Sequence, residues 1–449
     1  MDRDTPRQVR FAADGIDRIS RNDLTTLVSD RGPAPMNIAA VLVVDGGSAL
    51  PRSEVVRALA AASTQVPRLR HRLRKAPLGC GRPYWVDDDF DIHRHVAFVR
   101  LDDDRDLWVA VADLVCQRLP QDRPLWRAVW LTGLDEERAA LVLVAHHVLA
   151  DGLGGLSVLA ALTGADASGR GRHPARPTAH TRRALASDAW RSRVLDLGTV
   201  ATRARLAAAG ARDLGIDGRP LHLCPRTSLN RPTGPRRRLC VLDFPLEDAL
   251  TAAHRLGATV NDLVLAAVSS AVAATLSDRG EAPDCLVVSV PYSGRASATA
   301  TRLGNETGVV PFRIPLGGTR DSRLRAVARM SHAQRGRPRA ASAAPLGAVF
   351  RALARLGMLQ WFVDHQRLVN TFVTNVPGPT RPWHFGGCLV SRVVPVAVTP
   401  GNVGVTFDVL SYAGTLSITV VADPEVVPDA ERLATHLARE LAMLAASAG

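Results

Sequence analysis

The chain has 449 residues, 46% of them hydrophobic and 22% charged, with 56 Lys plus Arg against 43 Asp plus Glu and a formal net charge of +13. This length suits about two to three domains with real cores and excludes disorder and collagen-like repetition. Lys75 is the only lysine, so the excess charge is arginine, suited to carboxylates and phosphates; aromatics at 4% are thin for base-stacking platforms, and no specific nucleic-acid partner is expected.

The first residues, MDRDTPRQVRFAADGIDR, are polar where a secretory signal needs an apolar core. No apolar run reaches the roughly 18 residues of a membrane span. A cytoplasmic protein, at most peripheral to the inner membrane or a lipid droplet, is expected. Asn37 to Val44 predicts a strand, Arg52 to Ser63 a helix, and Ala139 to Ala145 a short buried strand. Further on, Leu239 to Phe244, Leu286 to Pro291, Gly308 to Ile314, Leu368 to Thr374 and Val393 to Val398 predict strands. Val403 to Tyr412 and Thr415 to Ala422 predict a hairpin about Ala413-Gly414. The helix predicted over Val260 to Leu276 has apolar residues at i, i+3 and i+4, and another helix begins near Asp429. Strands alternate with helices throughout, which is an α/β pattern. The six cysteines lie far apart without a CxxC pair, and read as free thiols in a reducing compartment.

Residues 163–240 hold sixteen Arg against five acids, so most of the net charge sits there. Gly, Pro and Ser punctuate its start, a helix is predicted near 181–213, and RPTGPRRR closes it. Trp190, Val194 and Leu197 share a side of that helix with Arg183 and Arg205, so no clean apolar stripe forms. The expected organisation is an N-terminal half over 1–165, an Arg-rich connector over 166–238 and a C-terminal half over 239–449. The connector is either a solvated linker or a contact for CoA phosphates or an anionic lipid surface, with Arg236, Arg237 and Arg238 as its densest charge.

The sharpest local feature is LVLVAHHVLADGLGG, where a buried strand runs into His146, His147, Asp151 and Gly152. Three readings are open. The histidines are satisfied core residues with Asp151 capping the next helix; or they bind a metal, against which stands the opposite orientation of adjacent strand residues; or one imidazole is a general base at the mouth of a cleft.

The segment HHVLADG, His146 to Gly152, resembles the HHxxxDG signature of the CoA-dependent acyltransferase superfamily. That superfamily includes chloramphenicol acetyltransferase and peptide-synthetase condensation domains. ISRNDL from Ile19, PMNIAAVLVV from Pro35, PLWRAVWLTGL from Pro124, TVNDLVLAAV from Thr259, Gly304-Asn305, TNVPGP from Thr374 and the SYAGTL hairpin follow in order. Together they resemble the bacterial wax ester synthase/diacylglycerol acyltransferase family along nearly the whole chain.

The resemblance implies two chloramphenicol acetyltransferase-like domains of mixed sheets flanked by helices, with an active-site tunnel at their interface. It implies transfer of an acyl group from acyl-CoA, a co-substrate and not a bound cofactor, to a long-chain alcohol or diacylglycerol, with no metal. By the same resemblance His147 is the general base. Asp151 is then structural and paired with a buried Arg, for which Arg295 is the candidate and Arg302 the reserve. Asn261 and Asp262 lie by the site, where helix capping is an equal reading. Thr374 and Asn375 supply donors to the developing carbonyl charge, unless they form only a turn. Asn37, where relatives often have His, and the looser VPYSGR and GNETGVVP segments leave the acceptor open. A polyketide or glycolipid hydroxyl, a carrier-protein thioester, or a basic lipid-binding protein with a vestigial site are the alternatives. Oligomeric state has no signal in the sequence.

Overall fold

The computed structural model describes residues 16–87, 89–149, 152–164, 180–197, 223–293, 307–334, 343–398 and 401–446. Its strands are β1 (Asn37–Val44), a separate ribbon of β2 (His71–Arg74) and β3 (Tyr84–Asp87), β4 (Val96–Arg100), β5 (Trp126–Thr132), β6 (Ala139–His146), β7 (Arg238–Pro245), β8 (Cys285–Ser293), β9 (Thr307–Pro315), β10 (Thr371–Pro377), β11 (His384–Phe385), β12 (Cys388–Ala397), β13 (Val405–Tyr412) and β14 (Thr415–Ala422). Two six-stranded sheets result, one ordered β11-β12-β1-β6-β5-β4 and the other β7-β14-β13-β10-β8-β9. Both are mixed: β4 with β5, and β10 with both β8 and β13, are parallel, and the remaining pairings are antiparallel.

The helices are α1 (Arg21–Ser29), α2 (Arg52–Gln65), α3 (Leu107–Cys116), α4 (Gly152–Leu162), α5 (Arg182–Leu197), α6 (Leu246–Arg255), α7 (Val260–Asp278), α8 (Arg320–Gln334), α9 (Ala343–Arg355), α10 (Leu359–His365) and α11 (Ala430–Ala446). Residues Val55 and Leu59 of α2 and Val158 and Leu159 of α4 share a core with Leu42, Leu141 and Leu143 on one face of the first sheet. On its other face, Val111 and Val115 of α3 pack with Val142, Val144, Val394 and Val396, and also with Leu239 and Val421 of the second sheet. Helix α7 is long and apolar enough to cross a membrane by length and composition, yet it is buried beneath the second sheet with α11. Its Ala and Val content allows that close packing on every side. The hairpin between β13 and β14 turns on Ala413 and Gly414, at φ of 46° and 87°, a pair of left-handed residues that matches strand twist.

The expected division of the chain at residue 239 is crossed. Strand β12, from the second half, pairs with β1 from Ile38↔Ala397 to Val44↔Val390 inside the first sheet. Without it β1 would present an open edge of apolar residues, so the crossing covers an otherwise aggregation-prone strand. The connector also departs from a solvated linker where it is described. On α5, Leu185 and Ala189 are buried and Asp188 meets Arg18 at 2.6 Å, while Trp190 and Val194 face solvent. Residues 198–222 lie outside the described residues.

At the end of that stretch Arg236, Arg237 and Arg238 do not form the free cationic cluster expected of a phosphate contact. Each meets an acid: Arg236 and Glu425 at 3.1 Å, Arg237 and Asp423 at 3.3 Å, Arg238 and Glu431 at 3.2 Å. The Arg237 and Asp423 side chains are both buried, whereas the other two pairs are exposed. Breaking the buried pair leaves a carboxylate in a low-dielectric site, so Arg237→Met should lower stability in urea unfolding by about 3 kcal/mol. Arg236→Gln and Arg238→Gln should each change it by less than about 1 kcal/mol. Equal effects at all three positions would contradict this assignment.

Candidate active site

Alternation along β6 decides which histidine faces which way. Leu141 and Leu143 point to the core with α2 and α4, and Ala140, Val142 and Val144 to the core with α3. Period-two geometry carries His146 onto the α3 side and His147 onto the α4 side. His146 is buried, and its Nδ1 accepts a hydrogen bond at 3.0 Å from the Val148 backbone N–H. A neutral His146 therefore carries its proton on Nε2, which lies 3.4 Å from Asp30 Oδ2. Asp30, just after α1, also accepts from the Met36 N–H at 3.0 Å and from Arg118 Nη1 at 3.0 Å. Burial alone would raise the Asp30 pKa, but His146, the Met36 N–H and Arg118 together outweigh it and hold the carboxyl below its ordinary value. His146 is thus a positioned core residue. The sequence offered no signal for Asp30, which lies in a plain polar turn.

His147 is half-buried, with its backbone N–H donating to Met36 O at 2.9 Å. It borders a cavity of about 160 Å³ between the two sheets. The first sheet supplies Ile38, Ala40, Ala145 and Ala397, α4 supplies Gly155 and Leu159, and the second sheet supplies Val376 and Leu410. Among the described residues, the polar side chains on its wall are those of His147, Thr374 and Asp408, together with Trp126, whose Nε1 donates to Leu69 O at 2.7 Å. Such a space can take part of an apolar chain and present one imidazole to it. Among the described residues no group of three or more His, Cys, Asp and Glu is placed to hold a metal. The divergence of His146 and His147 is the geometric reason at this strand end.

Thr374 and Asn375 separate for the same reason. Thr374 faces the cavity, whereas Asn375 Nδ2 reaches Asn261 Oδ1 at 3.5 Å on the side of α7. Asp262 is the third residue of a capping box: its backbone N–H donates to Thr259 Oγ1 at 3.2 Å, and its Oδ2 accepts from the Thr259 N–H at 2.9 Å. Ser331 Oγ also hydrogen-bonds Asp262 Oδ1. The Asn261, Asp262 and Asn375 group therefore sits outside the cavity wall, behind the second sheet. In the turn that follows, a side chain at Gly378 would meet Ser411 O at 2.2 Å, so only glycine fits. Gly152 is the first residue of α4, and Asp151, Arg295 and Arg302 lie outside the described residues. Asp408 is the group that sequence reasoning missed. Its signal was a lone charge in VTFDVLSY, an otherwise apolar strand.

The model of the wax ester synthase/diacylglycerol acyltransferase catalytic domain matches residues 19–264, and that of the WS/DGAT C-terminal domain matches residues 303–445. "Probable diacyglycerol O-acyltransferase tgs1" of Mycobacterium tuberculosis is 31% identical over 430 residues, covering 91% of each chain. Among solved structures, the wax ester synthase/diacylglycerol acyltransferase from Marinobacter aquaeolei VT8 superposes with a TM-score of 0.67 at 19% identity, covering 97% of this chain and all of that one. The first condensation domain of the calcium-dependent antibiotic synthetase superposes with a TM-score of 0.63 at 20% identity, covering 97% of each chain. These likenesses place the two mixed sheets in the chloramphenicol acetyltransferase-like fold.

Because the folded pKa of Asp30 is lowered, its stabilisation is complete above the unfolded value near 3.9 and is lost as pH falls through the folded value. Asp30→Asn should cost about 1 to 3 kcal/mol at neutral pH and make the acid loss of stability shallower. Thermal unfolding across pH reads both, and unchanged stability at neutral pH would contradict the contact with His146.

Proposed function

Since this chain belongs to the wax ester synthase/diacylglycerol acyltransferase family and is therefore an acyltransferase, we propose that it transfers a long acyl group from acyl-CoA to the hydroxyl of diacylglycerol or a long-chain alcohol, with His147 as general base. The observation that carries this reading is the placement of His147, with its neighbour turned away, on the wall of an apolar cavity between the sheets. An alcohol attacks a thioester poorly until a base removes its proton. In the proposed reaction the His147 imidazole takes that proton as the alkoxide oxygen bonds the carbonyl carbon. The tetrahedral oxyanion then collapses, the carbon–sulfur bond breaks, and the imidazolium returns the proton to the CoA thiolate. No covalent acyl-enzyme and no metal enter these steps.

The cavity's apolar wall suits an acyl chain, because each methylene withdrawn from water favours binding by about 0.8 kcal/mol. We place the enzyme in the cytoplasm at a lipid surface, the inner membrane or a droplet, where such substrates reside. Leu356, Met358 and Trp361, exposed apolar side chains close in sequence to Arg351 and Arg355, support that reading.

His147→Ala should lower kcat/KM by a factor of about 10² to 10⁴ in release of CoA thiol from palmitoyl-CoA with hexadecanol or dioleoylglycerol. Its unfolding transition should match the parent's. Parental turnover in that variant would sink the assignment.

A further inference from the structure

Asp408 lies in the middle of β13, on the face opposite Phe407 and Val409, which pack in the core with α7, and is itself 3% exposed. A carboxyl in such a place needs partners, and two are present. Its Oδ2 accepts a hydrogen bond at 2.7 Å from the backbone N–H of Ala397, the last residue of β12. On that side β12 is paired with β11 only at Cys388 and Leu389, so no strand is available to Ala397. The second partner is Thr374, which stands opposite Asp408 in the register of β10 and β13 and interacts with the same carboxyl. Both side chains line the cavity that His147 borders.

A carboxyl oxygen accepts from Ala397 in either protonation state. Thr374 is different, because the direction of its hydrogen depends on the proton of Asp408. A neutral carboxyl donates its O–H to Thr374 Oγ1, and the Thr374 hydroxyl hydrogen is then free to point into the cavity. An ionised carboxylate can only accept, and takes that hydrogen for itself. We propose that Asp408 is a positioning residue for acyl transfer: protonated, it leaves Thr374 to donate to the thioester oxygen as charge develops there, and ionised, it withdraws that donor.

This inference rests on the reading of the cavity as the acyl-transfer site. Asp408 makes no bond to substrate, and the proton it loses goes to solvent. Burial pushes its carboxyl up to about 7, against the bonds from Ala397 and Thr374 that favour the charged form. Among the described residues, β12 brings only the Ala397 backbone against it, β10 brings Thr374 and β14 brings Thr419, none of them charged. His147 is the titratable group that shares the cavity wall.

The test is the pH profile of ester formation from palmitoyl-CoA and hexadecanol, measured by mass spectrometry between about pH 5 and 9. The parent should show an acid limb from His147 and an alkaline limb from Asp408. Asp408→Asn keeps an acceptor for Ala397 and a donor for Thr374, so it should retain the acid limb, lose the alkaline one and exceed the parent by about tenfold or more at the highest pH. Thr374→Val should lower kcat by about 10- to 100-fold at low pH with little change in KM, and should also lack the alkaline limb. Thr374→Ser should restore that limb. An alkaline limb that persists in Asp408→Asn, or a parental kcat in Thr374→Val, would overturn the inference alone. If Asp408→Asn does not fold, the Thr374→Val profile decides. Absence of any turnover in the parent would overturn the functional reading, and this inference with it.

Discussion

The pairing of β12 with β1 is the constraint on which the rest of the molecule depends. A strand from the second half is built into the first sheet, and its far face packs against Leu239 and Val421 of the second. The two halves of the chain are therefore joined by a main-chain hydrogen-bond ladder inside the first sheet, and the two sheets by a shared apolar core, and not by a surface contact between finished domains. A cavity at such a junction keeps its shape because both walls belong to ladders that cannot slide without losing register. Ala397 sits at the seam, pairing with Ile38 on one side and held by Asp408 on the other.

Strand alternation then distributes the polar groups. At the end of β6 it sends one imidazole toward Asp30 and its neighbour toward the cavity, so a doublet that looks like a metal pair becomes a structural residue and a candidate base. On β10 it sends Thr374 to the cavity and Asn375 to the helical side with Asn261. Among the described residues the titratable and hydroxyl chemistry in the cavity is narrow as a result: one imidazole, one hydroxyl and one carboxyl in an apolar wall. That economy suits a reaction whose substrates are mostly hydrocarbon and whose single demanding step is the movement of one proton.

Much of this was legible in the chain itself. The continuous apolar runs of β1 and β6 could be read directly, because strands buried on both faces need no polar alternation. The left-handed turn between β13 and β14 announced itself through Ala413-Gly414. What stayed hidden were partners distant in sequence. Nothing in Cys388 to Ala397 says that it pairs with β1 and not with its own half. The arginines at 236 to 238 read as free charge because Glu425, Asp423 and Glu431 are nearly two hundred residues away. Asp30 is invisible for the same reason. The separation of Thr374 from Asn375 and the oddity of Asp408 were, by contrast, both available from period-two reasoning within a single strand.

Acyl transfer is proposed at one place, with the thioester carbonyl held between His147 and Thr374 in the cavity at the β12 seam. A crystal structure with a thioether analogue of palmitoyl-CoA, which cannot transfer its chain, addresses it directly. The chain should lie along Ala40, Leu159 and Val376, with the sulfur and adjoining carbon within hydrogen-bonding reach of the His147 ring. An analogue bound with its sulfur elsewhere, and the cavity unfilled, would contradict it.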